Sequence, residues 1–164
     1  KDIKWHMIGH VQRNKIKYMA PFVNLIHGVE NFKVLKEANK QAAKHDRIID
    51  CLLQIKIASE DSKFGMMASE ALEIIGSEEF SELKNVMITG VMGMATFTDD
   101  QEQIKAEFSH LKSTFDHLKE VQTHNCNMQT ISMGMSGDYK IAIDSGSTMI
   151  RVGSRIFGTR NYSK

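Results

Sequence analysis

Ser132-Met133-Gly134-Met135-Ser136 and Arg151-Val152-Gly153-Ser154 are the two stretches on which the reading of the fold turns. Each follows a short apolar run, at 130–132 and at 149–152, and each combines glycine with hydroxyl side chains. Small residues after a strand let backbone N–H groups approach an anion, and a following helix N-terminus adds partial positive charge. In barrels that bind phosphorylated ligands, the phosphate usually sits on the loops after the last two strands and on a short helix. Gly/Ser turns are common, so neither stretch decides anything alone. Their position at the end of the chain points to the closing units of a barrel.

Outward from that end, β-rich runs at 5–8, 25–27, 48–57, 86–91, 130–132 and 149–152 alternate with amphipathic stretches at 14–19, 31–45, 67–75 and 101–120. Such alternation is the signature of repeated βα units around a parallel sheet. In the last helical stretch Ile104, Phe108, Leu111, Phe115 and Leu118 recur at spacings of four and three, one buried face. A closed (β/α) barrel takes eight units and about 250 residues. Six units in 164 residues fit either an open six-stranded sheet or a barrel short of its first two units. The placement of the two turns favours the second: an α/β chain, an incomplete (β/α)8 TIM barrel, with one domain over 1–164.

Composition narrows the function classes. Lys plus Arg number 21 against 20 Asp plus Glu, a balance that argues against a dedicated nucleic-acid or membrane surface. Cys51 and Cys126 lie far apart with no C-x-x-C or Cys/His spacing, and the seven histidines show no H-x-x-x-H or H-E-x-x-H pattern, so no zinc or redox site is expected. No apolar run approaches the ~20 residues of a membrane span, and Lys1-Asp2-Ile3-Lys4-Trp5 does not read as a signal peptide. A soluble cytoplasmic protein is expected.

Specific motifs go further. Residues 5–15 (WHMIGHVQRNK), Leu53-Gln54-Ile55, Glu60 through Lys63 to Gly65, residues 132–136 (SMGMS), residues 146–153 (GSTMIRVG) and Ile156-Phe157-Gly158 resemble, in order and along the whole chain, the YggS/PROSC family of pyridoxal-phosphate homeostasis proteins. The resemblance implies a barrel like the N-terminal domain of alanine racemase, carrying pyridoxal 5'-phosphate (PLP) at the C-terminal ends of its strands. It implies a monomer with no established turnover that buffers, carries or protects the cofactor in vitamin B6 homeostasis. Carried onto this chain, Ser132 with the backbone of Met133, and Gly153 with Ser154, would hold the phosphate, and Arg151 would face the pyridine nitrogen. His6 could reach the pocket from inside the barrel. An arginine stays protonated and only donates, so the ring nitrogen would remain unprotonated, the opposite of what carbanion chemistry wants. The bland alternative is that Arg151 pairs with a surface carboxylate.

The family also carries, ahead of the point where this chain joins its pattern, a strand with the Schiff-base lysine and a second strand with a Gly-Glu-Asn motif. No covalent lysine is therefore expected here. Lys56, where the family usually has asparagine, and Lys63 read as solvated; Ser154 stands where threonine is common. His10 reads as a hydrogen-bonded structural histidine, and Arg13, Lys15 and Lys17 as a solvated face without aromatic interleaving. Two other readings stay open. A fold-type III PLP enzyme of racemase type would need a second acid/base residue, whereas Tyr18, Tyr139 and Tyr162 fall in helical or terminal segments. An inactive fragment would expose two strand edges and self-associate.

Overall fold

The computed structural model describes residues 2–59, 64–121 and 123–158. Six strands, β1 (Trp5–Met7), β2 (Val23–Val29), β3 (Ile49–Gln54), β4 (Val86–Met92), β5 (Cys126–Met135) and β6 (Met149–Arg151), form one sheet in sequence order, every neighbour parallel. Between them lie a 3-10 turn (Arg13–Lys15) running into α1 (Ile16–Met19), then α2 (Phe32–Ala43), α3 (Ala68–Ile75), α4 (Glu78–Ser81), α5 (Gln101–Lys119), α6 (Tyr139–Asp144) and, after β6, α7 (Ser154–Phe157). The incomplete barrel of βα units expected from the sequence is the architecture found.

The long helices start where their caps dictate. Asn31 accepts the Val34 N–H ahead of α2, and Asp100 accepts the Glu102 and Gln103 N–H groups ahead of α5. The α5 stripe Ile104, Phe108, Leu111, Phe115 and Leu118 is buried as its spacing predicts, with Glu107 and Thr114 on the same face. These side chains join Ile26, Leu53, Ile88 and Ile131 in the main core between sheet and helices. A second, smaller cluster of Leu25, Leu52 and Met92, with Met94 and Met149 against it, fills the other face of the sheet. Both faces of the central strands are covered, as parallel sheets require.

Two boundaries differ from the sequence reading, with consequences for the site. β3 stops at Gln54, not 57, because Ile55 bridges to Met66 within the segment that follows. β5 runs from Cys126 to Met135, so residues 132–135 are strand and the turn lies at 136–138. Its polar first half, Cys126 to Thr130, does not read as an apolar run. Yet Gly90 pairs with Thr130 so closely that a Cβ on Gly90 would sit 1.8 Å from the Thr130 carbonyl oxygen. The short helices α4, α6 and α7 are too brief for periodicity to reveal. β1 and β6 are the sheet edges, with Trp5 and Ile8 exposed at one and Ile150, Ile156 and Phe157 at the other. No helix among the described residues is long and apolar enough to cross a membrane.

Candidate functional site

A chain of hydrogen bonds crosses the inside of the curled sheet. Arg151 Nη1 on β6 donates to Ser132 Oγ on β5 at 2.7 Å; Ser132 Oγ lies 3.0 Å from His27 Nδ1 on β2; His27 Nε2 lies 3.2 Å from His6 Nδ1 on β1. Arginine has no acceptor, so it fixes the direction of the first bond. The fully buried Ser132 hydroxyl accepts from Arg151 and shares a second hydrogen bond with His27 Nδ1. The His27 tautomer sets which ring nitrogen of the His27–His6 pair donates. His27 is 1% exposed, and burial first, then Arg151 and His6, lower its pKa to about 4. It is a neutral imidazole at physiological pH.

Arg151 is held from a second side, where its Nη2 donates to the Gly93 carbonyl just beyond β4 at 3.0 Å. Burial pulls its pKa down to about 10, with Asp138 acting in the opposite sense, so the guanidinium stays charged at neutral pH. Two of its five N–H groups are spent on these contacts, leaving donors for a ligand. Among the described residues its hydrogen bonds go to Ser132 and the Gly93 carbonyl, in the wall of the curled sheet.

Two residues beyond Arg151, the chain turns at Gly153. The Gly153 N–H donates to Ser136 Oγ at 3.2 Å, and Arg155 Nε donates to the Ser136 carbonyl at 2.9 Å. Because Ser136 Oγ accepts from Gly153, its own proton is left to give to a further acceptor. Asp138 Oδ1, the nearby carboxylate, accepts the Met135 N–H at 2.6 Å. Gly153 is exposed, and a Cβ there would meet nothing within 4 Å, so the space in front of its backbone is open. Ser154, also exposed, opens α7. This is an open, hydroxyl-bearing turn beside a half-buried arginine.

The structure places Ser132 and Ser136, the two serines of the expected turn, differently. Ser132 is consumed by Arg151 and His27 inside the wall, and Met133 is a fully buried strand residue whose carbonyl accepts from Ser147 Oγ at 2.8 Å. Neither lies in the turn expected at 132–136; Ser136 does. The misplaced end of β5 hid this, although parity puts Ser132 and Met133 on opposite faces of a strand, with Met133 in the outer core. His27 and Gly93 carried no expected role. A histidine between Ile26 and Gly28 in an otherwise apolar strand end was the readable signal for the first. His6 meets His27 as described. His10 pairs with Glu30 at 3.0 Å and stacks on Phe64 at 4.6 Å between centroids. Lys56 is half-buried with its backbone N–H on the Met66 carbonyl; Glu60, Lys63 and Tyr162 lie outside the described residues. Arg13, Lys15 and Lys17 are exposed, and an aromatic ring does accompany them: the ammonium groups of Lys15 and Lys17 lie 5.9 and 4.9 Å from the Tyr18 ring centroid.

Comparison with known proteins gives a consistent picture. The family profile described as "Alanine racemase, N-terminal domain" matches residues 2–161. The pyridoxal phosphate homeostasis protein of Aquifex aeolicus is 33% identical over 98% of this chain and 69% of its own length. That of Vibrio alginolyticus is 35% identical over 98% of this chain and 67% of its own length. Among solved structures, PipY of Synechococcus elongatus, determined with PLP bound, superposes with a TM-score of 0.85 at 26% identity, covering 96% of this chain and 72% of PipY. An alanine racemase from Clostridium difficile, at 11% identity and a TM-score of 0.73 over 99% of this chain and 41% of its own, shares the fold. The chain spans about two thirds of the length of the curated relatives it matches.

Proposed function

We propose that this chain, which belongs to the alanine racemase N-terminal domain family and within it to the pyridoxal phosphate homeostasis proteins, binds PLP at the C-terminal ends of β5 and β6 and holds it without turning over amino acids. The observation that carries this reading is Arg151, a half-buried donor-only cation fixed on two sides and two residues from an open, hydroxyl-bearing turn.

In this reading Ser136, Ser154 and the turn at Gly153 hold the phosphate, the Gly153 N–H exchanging Ser136 Oγ for the anion, and Arg151 donates to the ring nitrogen. Bound PLP supplies an electron sink whose strength depends on protonation of that nitrogen. Arg151 cannot accept a proton bond, and Ser132, His27 and Gly93 keep it from swinging away, so the nitrogen stays unprotonated and the sink stays weak. The neutral His27, with His6 beside it, completes the wall. A buffering or carrying role follows, and racemase chemistry is disfavoured. The cytoplasm suits such a role and suits Cys51 and Cys126, which stand as free thiols.

Titration of the purified chain with PLP, followed by the absorbance of the cofactor, tests the proposal. Saturable one-to-one binding, weakened by Arg151→Gln, is expected, with no racemisation of alanine above that of free PLP. Absence of saturable binding, or protein-dependent racemisation lost in Arg151→Gln, would overturn it.

A further inference from the structure

The outer face of the sheet holds an acidic group within the largely apolar stripe of α5. Glu107 of α5 is 9% exposed beside Ile104, Phe108 and Leu111. Its Oε2 accepts the Thr96 N–H at 2.6 Å; its Oε1 accepts Thr96 Oγ1 at 2.7 Å, Gln103 Nε2 at 3.1 Å and the Ser59 N–H at 3.4 Å. The Ser59 and Thr96 hydroxyls are themselves 3.2 Å apart, and Gln103 Nε2 also donates to Ser59 Oγ at 3.0 Å. Ser59 follows β3 and Thr96 follows β4, so one carboxylate on α5 ties together two loops at the C-terminal end of the sheet. Burial opposes its charge, but the hydrogen bonds from Thr96, Gln103 and Ser59 outweigh burial and hold the carboxyl below the ordinary range.

The tie reaches the site. Thr96 lies three residues beyond Gly93, whose carbonyl accepts from Arg151 Nη2. Gly93 has little room to shift, since a Cβ there would sit 2.8 Å from both Ile57 Cδ1 and Leu111 Cδ2. A helix carboxylate thus fixes a loop whose first carbonyl steers the guanidinium from the far side of the sheet.

We infer that Glu107 is a positioning residue for Arg151: by clamping Thr96 and Ser59 it fixes the Gly93 carbonyl, and through it the guanidinium and the affinity of the PLP site. The inference rests on the PLP site proposed above. It differs from a merely structural role because it requires a change at Arg151 in protein that is still folded.

Three variants of the full chain separate the cases. Glu107→Gln turns an amide N–H₂ toward donors; Thr96→Val removes one donor; Thr96→Ser keeps both the hydroxyl and the backbone contact. Urea midpoints establish that each is folded where it is measured. The side-chain Nε–H resonance of Arg151 and amide exchange at residues 93–96 are read without ligand, and PLP affinity by titration. Glu107→Gln should shift the Arg151 resonance, speed exchange at 93–96 and weaken PLP binding about tenfold, the size of effect a remote coupled residue exerts. Thr96→Val should move in the same direction, and Thr96→Ser should stay near wild type. An unchanged Arg151 resonance and unchanged affinity in folded Glu107→Gln would overturn the inference; if that variant does not fold, Thr96→Val decides by the same readouts. Failure of wild type to bind PLP would sink the proposed function alone, because the resonance comparison still decides whether Glu107 controls Arg151.

Discussion

His27 Nδ1 and Ser132 Oγ lie 3.0 Å apart although β2 and β5 are three places apart in the sheet. In a flat sheet, strands spaced by about 4.8 Å would hold them about 14 Å apart. The contact is thus a direct measure of curl, and it is polar. The apolar interior cluster lies at the same level of the sheet, with Leu25 opposite His6 and both Met92 and Met149 opposite Ser132.

The histidine at its centre predicts a pH dependence of stability. His27 has its pKa depressed to about 4 in the folded state, against about 6.5 unfolded, so the unfolded chain binds more protons between those values. Stability should be full above pH 6.5 and fall as pH drops toward 4, by up to about 3 kcal/mol at 1.36 kcal/mol per pH unit. Urea unfolding at pH 7.5 and pH 5 measures this. His27→Gln should flatten the difference; the same slope in that variant would assign the loss to other groups.

Ser132 and Ser136 should separate stability from binding. Ser132→Ala leaves Arg151 and His27 facing a methyl group, and an unsatisfied buried donor or acceptor costs about 1–3 kcal/mol, readable as a lower urea midpoint. Ser136→Ala removes a half-buried hydroxyl at the turn and should leave the midpoint nearly unchanged. Its PLP affinity should fall by about 1.5–3 kcal/mol, the value of a hydrogen bond to a charged group. The reverse pattern would return the phosphate to Ser132.

The difference between these serines also shows what could be read without coordinates. Periodicity located all six strands and the α5 stripe, because alternating burial leaves a record in residue type. The end of β5 left none: Gly134 and two methionines look like a turn, yet Gly134 adopts φ +95 inside the strand and packs so close to α6 that a Cβ would lie 2.6 Å from the Ala142 Cβ. Arg151 was legible as a residue, but its partners were not. Ser132 is 19 residues away and Gly93 is 58, and only the curl of the sheet brings them together. Glu107 was hidden for a related reason, since a charged residue in a helical stripe reads as an interruption until its four donors are placed.

Gly90 tests the register on which the curl depends. Its φ of +158 and the 1.8 Å separation of a Cβ from the Thr130 carbonyl oxygen leave no room for a side chain between β4 and β5. Gly90→Ala should cost roughly 3 kcal/mol or more, by strain and a broken ladder, and lower soluble yield. Gly137→Ala is the control, because nothing lies within 4 Å of a Cβ there. Equal thermal midpoints for the two variants would contradict the pairing.

Gly153 is the opposite case, and it gives the sharpest test of the anion corner. Its φ is −120, a value open to any residue, and a Cβ would meet empty space, so neither Gly153→Ala nor Gly153→Val should lower the urea midpoint appreciably. An anion held by the Gly153 backbone and Ser136 would have to occupy part of that space. Small residues are used at such turns because the backbone itself must approach the ligand. Gly153→Val should therefore weaken PLP, and inorganic phosphate as a competitor, by more than tenfold, with Gly153→Ala intermediate; this exceeds the loss of one charged hydrogen bond because the branched side chain excludes the anion as well. Phosphate titration of the ligand-free chain by NMR reads the same site without the cofactor. Shifts at Ser136, Gly153 and Ser154 that vanish in Gly153→Val would confirm it, whereas shifts confined to Arg13, Lys15 and Lys17 would place the anion on the exposed basic turn instead.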